Sequence, residues 1–374
     1  MALLLADTNR LAEAEPLMRR VVEIFQNFDG EALEVYAGAL NNLALLLRDT
    51  NRSAEAEPLM RRAVEILENP GGEPLQNYAG ALASLAQLLQ DTNRLAEAEP
   101  LMRRGLAIRE KRLGPEHPDV ARDLDNLAIL LRDTNRLEEA ETLMRRALAI
   151  DEQHLGPEHP EVAIVLSNLA RLLYAANRLT EAEPLMRRAL AIHEKSFGPE
   201  HPKVAICFSD LANVLQDTNR SPEAESLLRR ALVIQEKSFE PEHPNVARIL
   251  NNLALLLHAT NRLAEAEPLT RRALAIDEQT FGPEHPDVAR DLNNLALLLH
   301  DTNRPAEVEP LMRRAVEILE AFKRETGHEH LNYRSSVANL RIVQGSRALA
   351  KGFGCLLVCF VLALGVFVMW RILR

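Results

Sequence analysis

Eleven histidines are the residues in this chain most able to do chemistry, since an imidazole can hold a metal or move a proton near neutral pH. Five of them, His117, His159, His201, His243 and His285, stand 42 residues apart. A zinc-type centre needs three or four donors converging on one point, whereas equal spacing gives each histidine its own copy of one local setting. These five are therefore expected to support turns. The pair in His328-Glu329-His330 fares no better, because neighbouring residues on a helix diverge by about 100° and no third ligand is evident. HExxH, a glycine-rich phosphate loop, CxxC and the nucleophile elbow are all absent from the sequence. The expectation is a chain with no catalytic residues, no metal and no cofactor. Cys207, Cys355 and Cys359 are too few for a disulfide framework and fit a reducing compartment. Cys355 and Cys359 lie one helical turn apart and could accept palmitate, against the plainer reading of small apolar fillers.

The elements that carry these residues follow from a strict period. The dipeptide Asn-Arg begins at Asn9, Asn51, Asn93, Asn135, Asn177, Asn219, Asn261 and Asn303, eight copies separated by 42 residues without insertion, which marks a solenoid of repeated units. One unit, residues 118–159, carries two apolar stripes at helical spacing. Val120, Leu124, Leu127, Ala128 and Leu131 make the first; Ala140, Leu143, Met144, Ala147 and Ile150 make the second. The unit is predicted to be a helix hairpin. Pro118 suits a first helical turn, Asn135 tolerates the left-handed backbone that a reversal needs, and Gly156-Pro157 stops the second helix. Composition agrees with an all-α class: the 374 residues include 15 glycines and only 4% aromatics. Against 54 acidic residues stand 44 basic ones, and the net charge of −10 disfavours nucleic acid as a partner.

Counting a unit so that Asn135 is position fifteen puts Leu127-Ala128 at seven and eight, Leu131 at eleven, Ala140 at twenty, Met144 at twenty-four and Ala147 at twenty-seven. This alternation of large and small residues resembles the tetratricopeptide repeat. The 42-residue length and the Gly-Pro-Glu-His-Pro link from Gly114, Gly156, Gly198 and Gly282 are similar to the kinesin light chain subtype. The resemblance implies an all-α, right-handed superhelical solenoid over residues 1–344, with the first hairpin shortened. It further implies that positions two, five, six, nine, twelve and thirteen of the first helices line a concave groove for a protein or extended peptide. Expected there are Asn42, Asn126, Asn168, Asn252 and Asn294 at position six, where an amide can both donate to and accept from a peptide backbone. Position nine adds Arg171 and Asn213, and position twelve adds Arg48, Arg132, Tyr174, His258 and His300. Two alternatives stand beside this: position-six asparagines that bond to a neighbouring hairpin, and position-thirteen aspartates that neutralise the arginines. The Met-Arg-Arg runs, such as Arg145 and Arg146, read as a solvated outer face balanced by glutamates.

Both ends depart from the repeat. Met1 occupies position seven of its unit, so the exposed N-terminal edge is a candidate for self-association, and a regulatory fragment of a larger signalling protein is the alternative reading. Toward the C-terminus, residues 332–344 match a worn first helix of a ninth hairpin, with Gly345 at the turn position and 345–351 as a short basic linker. Residues 352–370 carry no charge, and nineteen residues at 1.5 Å each span about 28 Å, near the ~30 Å hydrocarbon core of a bilayer. A transmembrane anchor is predicted, with Phe353, Leu356, Leu357, Phe360, Leu362, Leu364, Phe367 and Trp370 facing lipid and 371–374 as a tail. Arg334, Arg341, Arg347 and Lys351 just before it predict a single-pass membrane protein with repeats facing the cytoplasm.

Overall fold

A computed structural model describes residues 11–26, 32–50, 52–68, 77–92, 94–239, 242–326 and 332–350. Among them the chain forms sixteen α-helices and no strand. In order these are α1 (Leu11–Phe25), α2 (Ala32–Asp49), α3 (Ser53–Glu68), α4 (Tyr78–Asp91), α5 (Leu95–Leu113), α6 (Pro118–Asp133), α7 (Leu137–Leu155) and α8 (Pro160–Ala175). The series continues with α9 (Leu179–Phe197), α10 (Pro202–Asp217), α11 (Ser221–Ser238), α12 (Pro244–Ala259), α13 (Leu263–Phe281), α14 (Pro286–Asp301), α15 (Pro305–Thr326) and α16 (Tyr333–Ala350). They fall into two compact units, residues 1–154 and 155–374. Each unit is a run of the predicted hairpins.

Small residues let the helices of a hairpin approach. Position eight is alanine at Ala86, Ala128, Ala170, Ala212 and Ala296, and position twenty is alanine at Ala98, Ala140, Ala182, Ala224 and Ala266, all buried. Leucines at seven and eleven, such as Leu127 and Leu131, fill the space between them with no exposure. The reversal also follows the sequence: Asn135, Asn177, Asn219, Asn261 and Asn303 take φ of 58–62°, the left-handed region that asparagine tolerates best after glycine. Second helices run unbroken through Pro58, Pro100, Pro184, Pro268 and Pro310.

The link histidines have a definite job. His117, His159, His201, His243 and His285 each occupy the N-cap of a first helix, where Nδ1 accepts the backbone N–H two residues on at 3.1–3.2 Å. Phe197, Phe239 and Phe281 stack on His201, His243 and His285 at 4.2–4.6 Å between ring centres. A cap of this kind works only while Nδ1 is unprotonated. Burial lowers the pKa of His243 and His285, so the folded state binds fewer protons than the unfolded chain. Stability contributed this way is complete above the ordinary histidine pKa of about 6.5 and is lost as pH falls below it. His243→Asn keeps a capping acceptor that does not titrate, so its melting temperature should fall less than wild type between pH 7 and pH 5.

One boundary differs from expectation. Helix α16 runs to Ala350, straight through Gly345, instead of turning there and leaving 345–351 as a linker. The turn position holds glycine in place of the asparagine found at every earlier reversal, and Ser346 to Ala350 are residues a helix accepts readily. The predicted span at 352–370, with Cys355, Cys359 and Trp370, lies outside the described residues, as does His328-Glu329-His330. No helix among the described residues is long and apolar enough to cross a membrane.

Candidate interaction face of the first helices

Every expected contact residue of the groove lies on a first helix, and five of the twelve, Arg48, Arg171, Tyr174, Asn252 and His258, are tied to a neighbouring repeat. At four described junctions position twelve reaches an aspartate at position thirteen of the next repeat. Tyr174 Oη donates to Asp217 at 2.7 Å, His258 Nε2 meets Asp301 at 2.8 Å, Gln90 Nε2 donates to Asp133 at 3.4 Å and Arg48 stands 4.0 Å from Asp91. Arg132 and His300 bind the aspartate beside them, Asp133 at 2.8 Å and Asp301 at 3.1 Å. His258 and His300 together hold the Asp301 carboxyl well below the usual carboxylate range. Arg171 donates to Asp210 at 3.0 Å and to the Asn168 oxygen at 3.2 Å. Of the position-six asparagines, Asn252 donates to Ser209 of the preceding repeat at 2.8 Å and Asn168 is buried. Asn126, Asn213 and Asn294 are half-buried on their helices, while Asn42 lines a cavity. Arg48 and Arg132 thus stand beside position-thirteen aspartates, while Arg171 is answered by Asp210 at position six.

That cavity is the feature sequence reasoning missed. It lies in the first unit, measures about 550 Å³, and is lined by first-helix residues Gly38, Asn41, Asn42, Gly80 and Ser84 with Asn77 at the edge. Its cause is position two, which is glycine at Gly38 and Gly80 but Arg122, Ile164, Ile206, Arg248 and Arg290 elsewhere. A Cβ at Gly38 would meet no atom within 4 Å, and one at Gly80 would meet only Arg109 Nη2, at 3.8 Å. The space is therefore missing side chain, not backbone distortion. Arg109 is held by its Nη1 to buried Asp123 and turns its other nitrogen toward Gly80. Arg122 at the rim is paired with Asp119 at 2.9 Å. Asn41 Oδ1 is buried in the wall without a hydrogen-bond partner, and an orphaned acceptor costs roughly 1–3 kcal/mol until a donor arrives. The position was legible as groove-facing; that two successive glycines open one continuous space is visible only once the helices are placed.

The second-helix face is dominated by matched charge, and its one described cavity, about 400 Å³ on α15, is lined by Ala306, Glu309, Pro310, Arg313, Arg314 and Glu317. Arg94 binds Glu57 at 2.8 Å and Glu97 at 2.7 Å, while Arg61 binds the same two carboxylates at 2.8 and 3.2 Å, closing a ring of four charges across one junction. The ring recurs around Arg52, Arg136, Arg220, Arg262 and Arg304. The second arginine of the later Met-Arg-Arg runs is a staple: Arg146 reaches Glu110 at 2.7 Å and the Pro115 carbonyl at 2.8 Å in the preceding repeat, whereas Arg20 and Arg62 bind Glu23 and Glu65 of their own helices. These arginines face solvent with their charge already matched.

The family model for the tetratricopeptide repeat matches residues 1–69, 78–153, 132–195, 161–237, 209–279 and 249–321. The chain belongs to the tetratricopeptide repeat family. Its 42-residue unit and Gly-Pro-Glu-His-Pro link are of the kinesin-light-chain-like subtype. Among solved structures it is similar to BtubC (BKLC) from P. vanneervenii, at 24% identity and a TM-score of 0.53 over 61% of this chain and 92% of that one. A Rap protein complexed with competence and sporulation factor aligns at 15% identity and a TM-score of 0.61, covering 85% of this chain and 83% of its own. A putative kinesin light chain of near-identical repeats from Podosopora anserina shares 28% identity over 55% of this chain and 99% of that one, with a TM-score of 0.47. No curated protein matches the chain.

Proposed function

We propose that the protein is a non-catalytic interaction scaffold that holds a protein or extended peptide against its first-helix face. The observation that carries this reading is the cavity beneath Gly38 and Gly80, where asparagine amides, an orphaned Asn41 acceptor and the Arg109 guanidinium meet in a space that no side chain of the described residues fills. Asn42, Asn126, Asn168, Arg171, Asn213, Asn252 and Asn294 would follow the ligand backbone, and the position-twelve residues Arg48, Arg132, Tyr174, His258 and His300 would frame its edge. Support from kinship is limited to the fold, which is shared with a Rap protein complexed with competence and sporulation factor. Selection from a displayed library of extended peptides against the full chain tests the reading. Recovery of a shared motif whose binding is lost on cavity substitution supports it; a library that yields only sequences bound equally by the substituted protein contradicts it.

We further propose that 352–370 tethers the scaffold to a membrane, with the repeats on the cytoplasmic side, because nineteen uncharged residues follow a segment whose only charges are basic. Alkaline carbonate washing should leave the full chain with the membrane pellet. Release together with peripheral proteins would contradict the tether. Self-association through the N-terminal edge and palmitate on Cys355 or Cys359 belong to this proposal and rest on sequence alone.

A further inference from the structure

Where one repeat packs on the next, position thirty-one of a second helix meets position three of the following first helix, and the pair is chemically different at each junction. In the first unit Leu67 and Ala81 share an apolar cluster, and Arg109 is paired with Asp123. In the second unit His193 Nδ1 lies 3.2 Å from Cys207 Sγ, Leu319 packs with Tyr333, and the α13–α14 junction sets Asp277 against Asp291. Two carboxylates at 2% and 0% exposure are the anomaly, since a buried charge needs a partner of opposite sign. Among the described residues one guanidinium is shared between them: Arg290 reaches Asp277 Oδ2 and Asp291 Oδ1 at 3.1 Å each, and spends its third contact on Asp287 at 2.7 Å. From α12, Asn251 Nδ2 donates to Asp291 Oδ1 at 2.7 Å, and the exposed Arg248 lies within electrostatic reach of Arg290. His285, at the N-cap of α14, lies 3.5 Å from Asp287. After these contacts Asp277 Oδ1 and Asp291 Oδ2 are both buried without a partner.

We infer that Asp277 and Asp291 hold one proton between them and form a proton-operated joint, closed while the proton is present and loosened when it leaves. The orphaned oxygens need a hydrogen that no described residue supplies, and two like charges side by side in the interior repel. Burial, with Asp291 adjacent, pushes Asp277 up to about 8, and burial likewise raises Asp291, so the proton belongs to the pair. A folded-state pKa above the unfolded value means that the folded joint binds the extra proton. Its stability is then greatest near the ordinary carboxylate pKa and falls as pH rises toward 8. Asn251, itself buried, is bonded to Asp291 and precedes Asn252, which bonds Ser209 of the preceding repeat, so the joint is linked to the neighbouring hairpin.

Hydrogen exchange of the full, ligand-free chain, corrected for intrinsic rates, reads the joint without reference to any binding partner. Between pH 6 and pH 8, protection of α13–α14 amides should fall by up to about tenfold per pH unit, the slope for one released proton, while the apolar Leu67/Ala81 junction stays level. Asp277→Asn should flatten the α13–α14 slope. Equal slopes at the two junctions of the wild type overturn the inference, and that comparison decides even where the variant does not fold. A folded Asp277→Asn protein that keeps the wild-type slope overturns it as well.

Discussion

Replacing Gly38 and Gly80 together by isoleucine should lower the affinity of a selected peptide by at least about tenfold, close to 1.4 kcal/mol, and leave the melting temperature unchanged or slightly raised. Isoleucine already stands at the same repeat position at Ile164 and Ile206, so the substitution gives the first unit side chains the fold accommodates elsewhere. No atom lies within 4 Å of a Cβ at Gly38, and the nearest to one at Gly80 is the far end of a flexible arginine. The added carbons would enter the 550 Å³ cavity and separate a ligand from Asn41 and Arg109. Helix propensity pulls weakly in favour of the variant, since glycine is the poorer residue inside a helix. Loss of binding by titration calorimetry with an unchanged thermal melt is the expected pair of results. Unchanged affinity would place the ligand elsewhere.

A second large effect is expected at Asp123, this time on stability. The Arg109 and Asp123 side chains are 14% and 7% exposed, and Asp123 is the residue that compensates the Arg109 charge at this depth. Asp123→Ala leaves a buried guanidinium without its counter-charge, a change that costs about 3–5 kcal/mol in comparable sites. Replacing both residues by leucine should restore most of that loss, because Leu67 and Ala81 show that the same junction positions accept an apolar pair. Denaturant unfolding of the two single variants and the double variant measures the coupling. If the singles and the double are equally destabilised, the charge pair is not what closes this junction.

The hairpins were legible in the sequence because each rests on local chemistry: asparagine in the left-handed turn at Asn219, proline at the first turn of α6, alanines where the helices cross. Equal spacing likewise sufficed to assign the link histidines to the turns, although the capping bond from Asp119 N–H to His117 Nδ1 needed coordinates. What spacing could not reveal is which repeat a side chain serves. Arg262 is one residue from the turn asparagine, yet it bonds Glu225 of the preceding repeat as well as Glu265 of its own. Tyr174 is on the expected binding face and is engaged by Asp217, 43 residues away. Such contacts depend on the stagger between neighbouring hairpins, which a periodic sequence leaves undetermined. The passage of α16 through Gly345 belongs to the same class, since a glycine marks a turn only when the surrounding packing asks for one.

The measurement that tests the central claim most directly is site-specific photocrosslinking to partner in cells. A benzoylphenylalanine at Ser84, in the cavity wall, should capture a partner in discrete adducts, whereas the same residue at Arg62, on the charge-matched second-helix face, should not. Adducts from Arg62 with none from Ser84 would contradict the account, because the ligand would then lie on the face whose charges the protein has already satisfied.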